Sequence, residues 1–257
     1  MVNFKRCVAV SKVCYAVGDI HGKYDLLINL QSKIAAHAAD FDEKKIVYLG
    51  DYIDRGDKSS QVVDHLINQP MEGFTEVHII GNHELFMLSS AVRPDEGTMG
   101  SWMVHGGYLT MMSYDCDMSK LPRLQEFVME YNGKFPGVTR SCMSLIQSEL
   151  TRCIPQSHMA FFRELAYSHL DDGHLFVHAG INPYAPIDQQ DENDLCWIRE
   201  PFLTSQRDYG VIVVHGHSIS PNVEFRDNRI GCDTGAYSSG KLSAVAITPD
   251  GYEVINT

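Results

Sequence analysis

Seven side chains able to bind a metal or move a proton recur at similar places along this chain: Asp19, His21, Asp51, Asn82, His83, His178 and His217. Asp19 and His21 lie just past the apolar run Val13-Cys14-Tyr15-Ala16-Val17. Asp51 follows Ile46–Leu49, Asn82 and His83 follow Val77–Ile80, His178 follows His174–Val177, and His217 follows Val211–Val214. The six candidate ligands, all but His83, offer oxygen or imidazole nitrogen and no thiolate. That set suits Mn²⁺, Fe²⁺ or Zn²⁺ better than soft ions. Six protein ligands are too many for one catalytic ion that must keep open positions. They fit two ions about 3.5–4 Å apart sharing one carboxylate, the arrangement of two-metal hydrolases. Arg55 has the planar fork that grips phosphate oxygens. Asp54 beside it can orient His83, an imidazole suited to protonating a departing alkoxide.

The elements that must position these groups follow from periodicity. Leu26, Leu27, Leu30, Ile34 and Ala38 recur at helical spacing, as do Val62, Val63, Leu66 and Ile67, with Ser59 or Ser60 as the expected N-cap. Strand, helix, strand, helix, strand is the pattern of parallel βαβ units, whose ligands bind beyond the carboxyl ends of the strands. Residues from about 97 to 170 break this pattern, and Thr98–Tyr114 within them is rich in Met and aromatics. They read as a helical insertion, with helix expected over Leu121–Tyr131 and Ser141–Leu170. The later runs Arg229–Cys232, Leu242–Ile247 and Tyr252–Ile255 are separated by turns and predict, with Val211–Val214, a second, partly antiparallel sheet. His37 and His65 are expected on helix surfaces. His215 shares a strand face with His217 and so can approach the site.

The 257 residues are expected to form one domain, 1–257, with 44% hydrophobic and 21% charged residues. A net charge of −12 argues against a grip on nucleic-acid backbone, which needs clustered Lys and Arg. The seven cysteines are odd in number and form no CxxC pair, so reduced thiols and a cytoplasmic location are expected. No secretory pattern or membrane-length apolar run is present.

Five motifs, in order, are Gly18-Asp19-Ile20-His21-Gly22, Gly50-Asp51-Tyr52-Ile53-Asp54-Arg55-Gly56, Gly81-Asn82-His83-Glu84, His178-Ala179-Gly180 and His215-Gly216-His217. Together they resemble the signature of the PPP-type metallophosphoesterases, in the calcineurin-like superfamily, from about Val13 to Ile247. Trp102–Gly107 and Cys232–Ala236 are similar to the bacterial and phage Ser/Thr protein phosphatase branch. The resemblance implies an α/β fold, a β-sandwich of two mixed sheets flanked by helices (αββα) with a helical insertion. It implies one metal on Asp19, His21 and Asp51, and a second on Asp51, Asn82, His178 and His217. Arg55 and Arg199 match the family's phosphate clamps, and His83 with Asp54 matches its acid dyad. The expected cofactors are two divalent ions, manganese first, with iron or zinc as alternatives. The expected reaction is hydrolysis of phosphoserine and phosphothreonine monoesters by attack of a metal-bridging hydroxide. The expected partner is a phosphorylated protein or small phosphoester, with no membrane. An alternative is hydrolysis of dinucleoside polyphosphates at the same site. That sister branch departs from Asp at the position of Asp54 and often carries Asp at that of Glu84, so both residues favour the protein phosphatase branch. A catalytically silent metal-binding module is the third reading, and its signature, a lost ligand, is missing here. Glu84 opens a helix, where a carboxylate favours the N-terminus, and can also help hold the neighbouring loop; it is the one residue of its motif left without an assigned role.

Overall fold

The computed structural model describes residues 11–120 and 140–257, so the helix expected over Leu121–Tyr131 lies outside them. Strand β1 (Lys12–Val17) ends in three fully buried residues, Tyr15, Ala16 and Val17, and therefore needs cover on both faces. It pairs in parallel with β2 (Glu43–Tyr48), and β2 pairs in parallel with β3 (Thr75–His78). Helices α1 (Tyr24–His37) and α2 (Ser59–Asn68) make the two crossovers, as the periodicity predicts. Lys58 sits at the N-cap of α2, and the Ser59 hydroxyl instead accepts the Asp54 N–H at 3.1 Å.

The second sheet comprises β4 (Ser168–Asp171), β5 (His174–Val177), β6 (Ile212–His215), β7 (Glu224–Phe225) and β8 (Arg229–Gly231), in the order β4-β5-β6-β8-β7. The last two runs depart from expectation. β9 (Ser243–Thr248) and β10 (Gly251–Asn256) return to the first sheet, whose order is β10-β9-β1-β2-β3. β9 is buried along most of its length, so it needs neighbours on both edges. It finds them antiparallel to β1 and β10.

The sheets pack face to face. Ala16, Val47, Leu49, Ile79 and Val245 from the first meet Phe176, Val214 and Ile230 from the second. Helices cover the outer faces: Tyr15, Val17, Ile46 and Tyr48 pack on the helical side with Leu27, Leu30 and Ile34. On the far side Leu175, Val177 and Val213 pack with Leu195 and Phe202. This is the αββα sandwich of mixed sheets.

The helical excursion begins with α3 (Asn82–Val92) and α4 (Glu96–Trp102), passes a wide turn at Met103–Gly107, and continues as α5 (Tyr108–Ser113), α6 (Arg140–Cys153) and α7 (Gln156–Glu164). The expected helical end at Leu170 is corrected. Residues Ser168–Asp171 form β4, an edge strand with alternating exposure, too short for periodicity to separate from a helix end. His65 is also corrected, since it is buried with Nε2 2.7 Å from Gln31 Oε1. No helix among the described residues is long and apolar enough to cross a membrane.

Candidate active site

Three loops leave β1, β2 and β3 and lock onto one another. The Ile20 and His21 N–H groups both donate to the Asp51 carbonyl, at 3.1 and 2.8 Å. The knot is Glu84, fully buried in the first turn of α3. Its Oε2 accepts the N–H of Asp51 at 2.9 Å and of Gly81 at 3.0 Å. Its Oε1 accepts the N–H of Tyr52 at 2.9 Å and of Ile53 at 3.3 Å. Burial pushes this carboxyl up to about 7, with the charge of Asp54 adding, and the backbone donors pull it back. Gly81 must be glycine because a Cβ there would meet the Asp51 nitrogen and carboxylate.

The backbone is strained here and little elsewhere. Seven non-glycine residues among those described have positive φ, and five of them are His21, Asp51, Asp54, Arg55 and His217. Such conformations cost on the order of 1 kcal/mol or more each and persist where surrounding contacts hold them.

The imidazoles have defined tautomers. His21 Nδ1 lies 2.9 Å from the Ile53 carbonyl and His178 Nδ1 2.8 Å from the Leu49 carbonyl. A carbonyl only accepts, so both Nδ1 atoms carry hydrogen and both Nε2 atoms present lone pairs, the orientation of metal-binding histidines. His21 Nε2 is 3.5 Å from Asp51 Oδ2, and His178 Nε2 is 3.5 Å from Asp51 Oδ1. Asp51 thus lies between two imidazoles, one per oxygen. His178 Nε2 also faces Asn82 Oδ1 at 2.9 Å, two lone pairs with no hydrogen between them, an arrangement a cation relieves. His217 joins Asp51 and His178 in one ligand-sized cluster. Both Asp19 oxygens accept the His217 N–H at 3.1 Å, tying the first sheet to the second.

Charge balance points the same way. Burial raises the Asp19 and Asp51 carboxyls well above the ordinary range, with Asp233 adding at Asp19 and Glu84 at Asp51. Burial also lowers His21 well below its ordinary value, His178 to about 3 and His217 to about 2, with neighbouring cationic groups adding. Neutral imidazoles beside buried carboxylates are the donor set a divalent cation completes. The residues present therefore fit two such ions.

His83 also lies within ligand distance of His21 and Asp51. Both its ring nitrogens are engaged, however, with Nδ1 2.6 Å from Asp54 Oδ2 and Nε2 3.3 Å from Arg55 Nη2. A guanidinium only donates, so Nε2 accepts. Asp54 is fully buried, and its carboxylate also receives the Trp102 indole N–H, at 2.9 and 3.1 Å to its two oxygens, and the Thr110 hydroxyl at 2.6 Å. Burial pushes Asp54 up to about 8 while Thr110 and Trp102 pull it down. Only the anion accepts all these donors at once.

Above the ligands opens a cleft of about 340 Å³ lined by Asp19, His21, Asp51, Arg55, Arg199, His217, Ile219 and Tyr237. The Arg55 guanidinium lies 4.5 Å over the Tyr237 ring. Arg199 donates to Ser218 Oγ at 3.0 Å and to the His217 carbonyl at 3.2 Å. All ten residues expected at the site are thus gathered at one end of the sandwich. His215 is not. Its ring turns edge-on to Phe202 at 5.2 Å, and Nδ1 sits against the Gly216 carbonyl. Sequence reasoning missed Trp102, Thr110, Ile219 and Tyr237. Two signals were available: Trp102 opens the segment Trp102–Gly107 that resembles the phosphatase branch, and the late motif Cys232–Ala236 stops one residue short of Tyr237.

A family model described as calcineurin-like phosphoesterase matches residues 14–236. Serine/threonine-protein phosphatase 2 of Escherichia coli K12 is 29% identical over 232 residues, covering 89% of this chain and 90% of that protein. A solved structure assigned provisionally as a diadenosine tetraphosphatase matches at a TM-score of 0.59 and 18% identity, covering 97% of this chain and 94% of that one. A mutant cold-active protein tyrosine phosphatase matches at a TM-score of 0.58 and 16% identity, covering 95% of this chain and 80% of that one. The two structures share the fold.

Proposed function

The chain belongs to the calcineurin-like phosphoesterases, and from that premise we propose that this phosphoester hydrolase acts on phosphoserine and phosphothreonine in proteins. Asp19, His21 and Asp51 would hold one divalent ion, and Asp51, Asn82, His178 and His217 a second. Manganese suits this all-oxygen and nitrogen set, with iron or zinc as alternatives. When bound, the ions would supply Lewis-acid charge and lower the pKa of a water from 15.7 toward about 7.

The chain's own residues do the rest. Arg55 and Arg199 offer two planar forks for the phosphate oxygens on which charge develops. To reach a phosphate, Arg55 leaves His83 Nε2, which is then open to the leaving group. Asp54 holds Nδ1–H and its negative charge favours the imidazolium, so His83, once Nε2 is freed and takes up a proton from solvent, presents that second proton from Nε2 to the departing serine or threonine oxygen. The observation that carries this reading is the 2.6 Å Asp54–His83 pair directly behind Arg55, because an alkoxide is a poor leaving group without a proton. The E. coli relative, named a serine/threonine-protein phosphatase, supports a protein substrate. A cytoplasmic location is part of the proposal, in keeping with six free cysteines among the described residues.

The test is a substrate panel with Mn²⁺: phosphoserine, phosphothreonine and phosphotyrosine peptides, diadenosine tetraphosphate and a nucleotide. The highest kcat/KM is expected on the phosphoserine and phosphothreonine peptides. A preference for diadenosine tetraphosphate would replace this reading with the dinucleoside polyphosphate one. Silence on every substrate with both metals bound would make the protein a binding module.

A further inference from the structure

We propose that the segment Trp102–Thr110 positions the acid, with the Trp102 indole and the Thr110 hydroxyl holding the Asp54 carboxylate that orients His83. The inference rests on the reading of His83 as the proton donor. It concerns two residues of the helical excursion that lie far in sequence from every ligand motif.

Asp54 and Arg55 are consecutive non-glycine residues in the left-handed region, with φ of 71° and 64°. Something outside their own loop must hold them there. Thr110 Oγ1 accepts the Asp54 N–H at 2.9 Å and donates back to Asp54 Oδ1 at 2.6 Å. One hydroxyl therefore fixes both the backbone and the side chain of the same residue. Trp102 Nε1 lies 2.9 Å from Asp54 Oδ2, the oxygen that faces His83 Nδ1, and 3.1 Å from Oδ1. Trp102, Thr110 and Asp54 are all fully buried, so water cannot substitute for a lost donor.

The backbone of the segment is shaped for this contact. In an unbroken α-helix, residues eight apart point roughly 80° away from one another. The wide turn at Met103–Gly107, with Gly106 at φ 115°, breaks that phase and turns both side chains to one carboxylate. The same glycine lies against the Arg55 backbone, where a Cβ would overlap the Arg55 nitrogen. The excursion thus presses on Asp54 and Arg55 through backbone as well as side chains. With these contacts removed, the Asp54 carboxylate keeps only His83 and its N–H keeps only Ser59 Oγ, and the imidazole is free to rock out of line.

Trp102→Phe keeps an aromatic ring, smaller than the indole, and removes the N–H. Thr110→Val keeps the shape and removes the hydroxyl. Each is expected to lower kcat on a phosphoserine peptide about 10–100-fold with KM within about two-fold. The loss on p-nitrophenyl phosphate, whose leaving group needs no proton, is expected to be under about three-fold. Metal content should be unchanged. Thr110→Ser, which keeps the hydroxyl, should recover most of the loss, so a variant of Trp102 that fails to fold does not end the test. His83→Asn in the same assays reports on the acid itself. If it discriminates between the two substrates while Trp102→Phe and Thr110→Val lower both alike or neither, the positioning role is wrong. If His83→Asn does not discriminate either, the acid assignment fails, and this proposal fails with it.

Discussion

Glu84 shows how much one buried carboxylate can organise. It accepts four backbone N–H groups, three from the loop after β2 and one from its own turn, and no neutral side chain can do that. In Glu84→Gln, one oxygen becomes an amide donor facing N–H groups. We expect a loss of about 2–4 kcal/mol in urea denaturation, the cost of buried donors left unmatched. A loss under about 0.5 kcal/mol would mean the loops hold without it. Asp51→Asn tests the shared ligand. Metal analysis should find both ions depleted rather than one, because each oxygen of Asp51 faces a different imidazole. Tyr237→Ala should raise KM about 3–10-fold with little change in kcat, in line with a partly buried cation–π contact that holds Arg55 over the cleft. The ligand set was legible in the sequence because each member follows an apolar run, and a strand end is a place as well as a composition. Trp102, Thr110 and Tyr237 were not, since a hydroxyl, an indole or a phenol can serve a core as well as a site. Only distance separates the two uses.

Elements differ in the same respect. Parallel strands buried on both faces read as short apolar runs, so β1, β2, β5 and β6 announced themselves, and with them the ends that carry Asp19, Asp51, His178 and His217. Which sheet a strand joins is decided by partners far away in sequence. For that reason β9 and β10 were expected in the second sheet and lie in the first. The helical excursion was read as an insertion with no catalytic residue of its own, and it carries Trp102 and Thr110 into the heart of the site. Packing between the sheets can be tested directly. Phe176, 1% exposed, lies between them, and Phe176→Ala should cost about 3–5 kcal/mol by urea denaturation. The metal site should loosen as a consequence, because β5 carries the strand end at which His178 stands.

At the scale of the whole molecule, the ligands come from both sheets. Asp19, Asp51 and Asn82 follow strands of the first, and His178 and His217 follow strands of the second. Bound ions would therefore clamp the sandwich at one end. Mn²⁺ at a hundredfold excess over Kd should stabilise the protein by about 2.7 kcal/mol per site, and EDTA should reverse the gain in a melting experiment. The sign of the pH dependence follows from Asp19 and Asp51, whose carboxyls burial raises. Below those raised values they hold protons that a metal must displace. Loading at mildly acidic pH should release protons in calorimetry, and apparent affinity should climb as pH rises. Affinity that does not vary with pH would mean the carboxylates are already ionised. The pairing of β1 with β9 has a different kind of consequence. A ribosome delivers β1 among the first described residues and β9 among the last, so β1 waits with one edge bare while almost everything between is made. Contacts of such long sequence separation form slowly and leave strand edges open to other chains in the meantime. Newborn copies should thus depend on a chaperone until the hairpin of β9 and β10 arrives, and a chain stopped before Ser243 should aggregate rather than fold to a smaller enzyme.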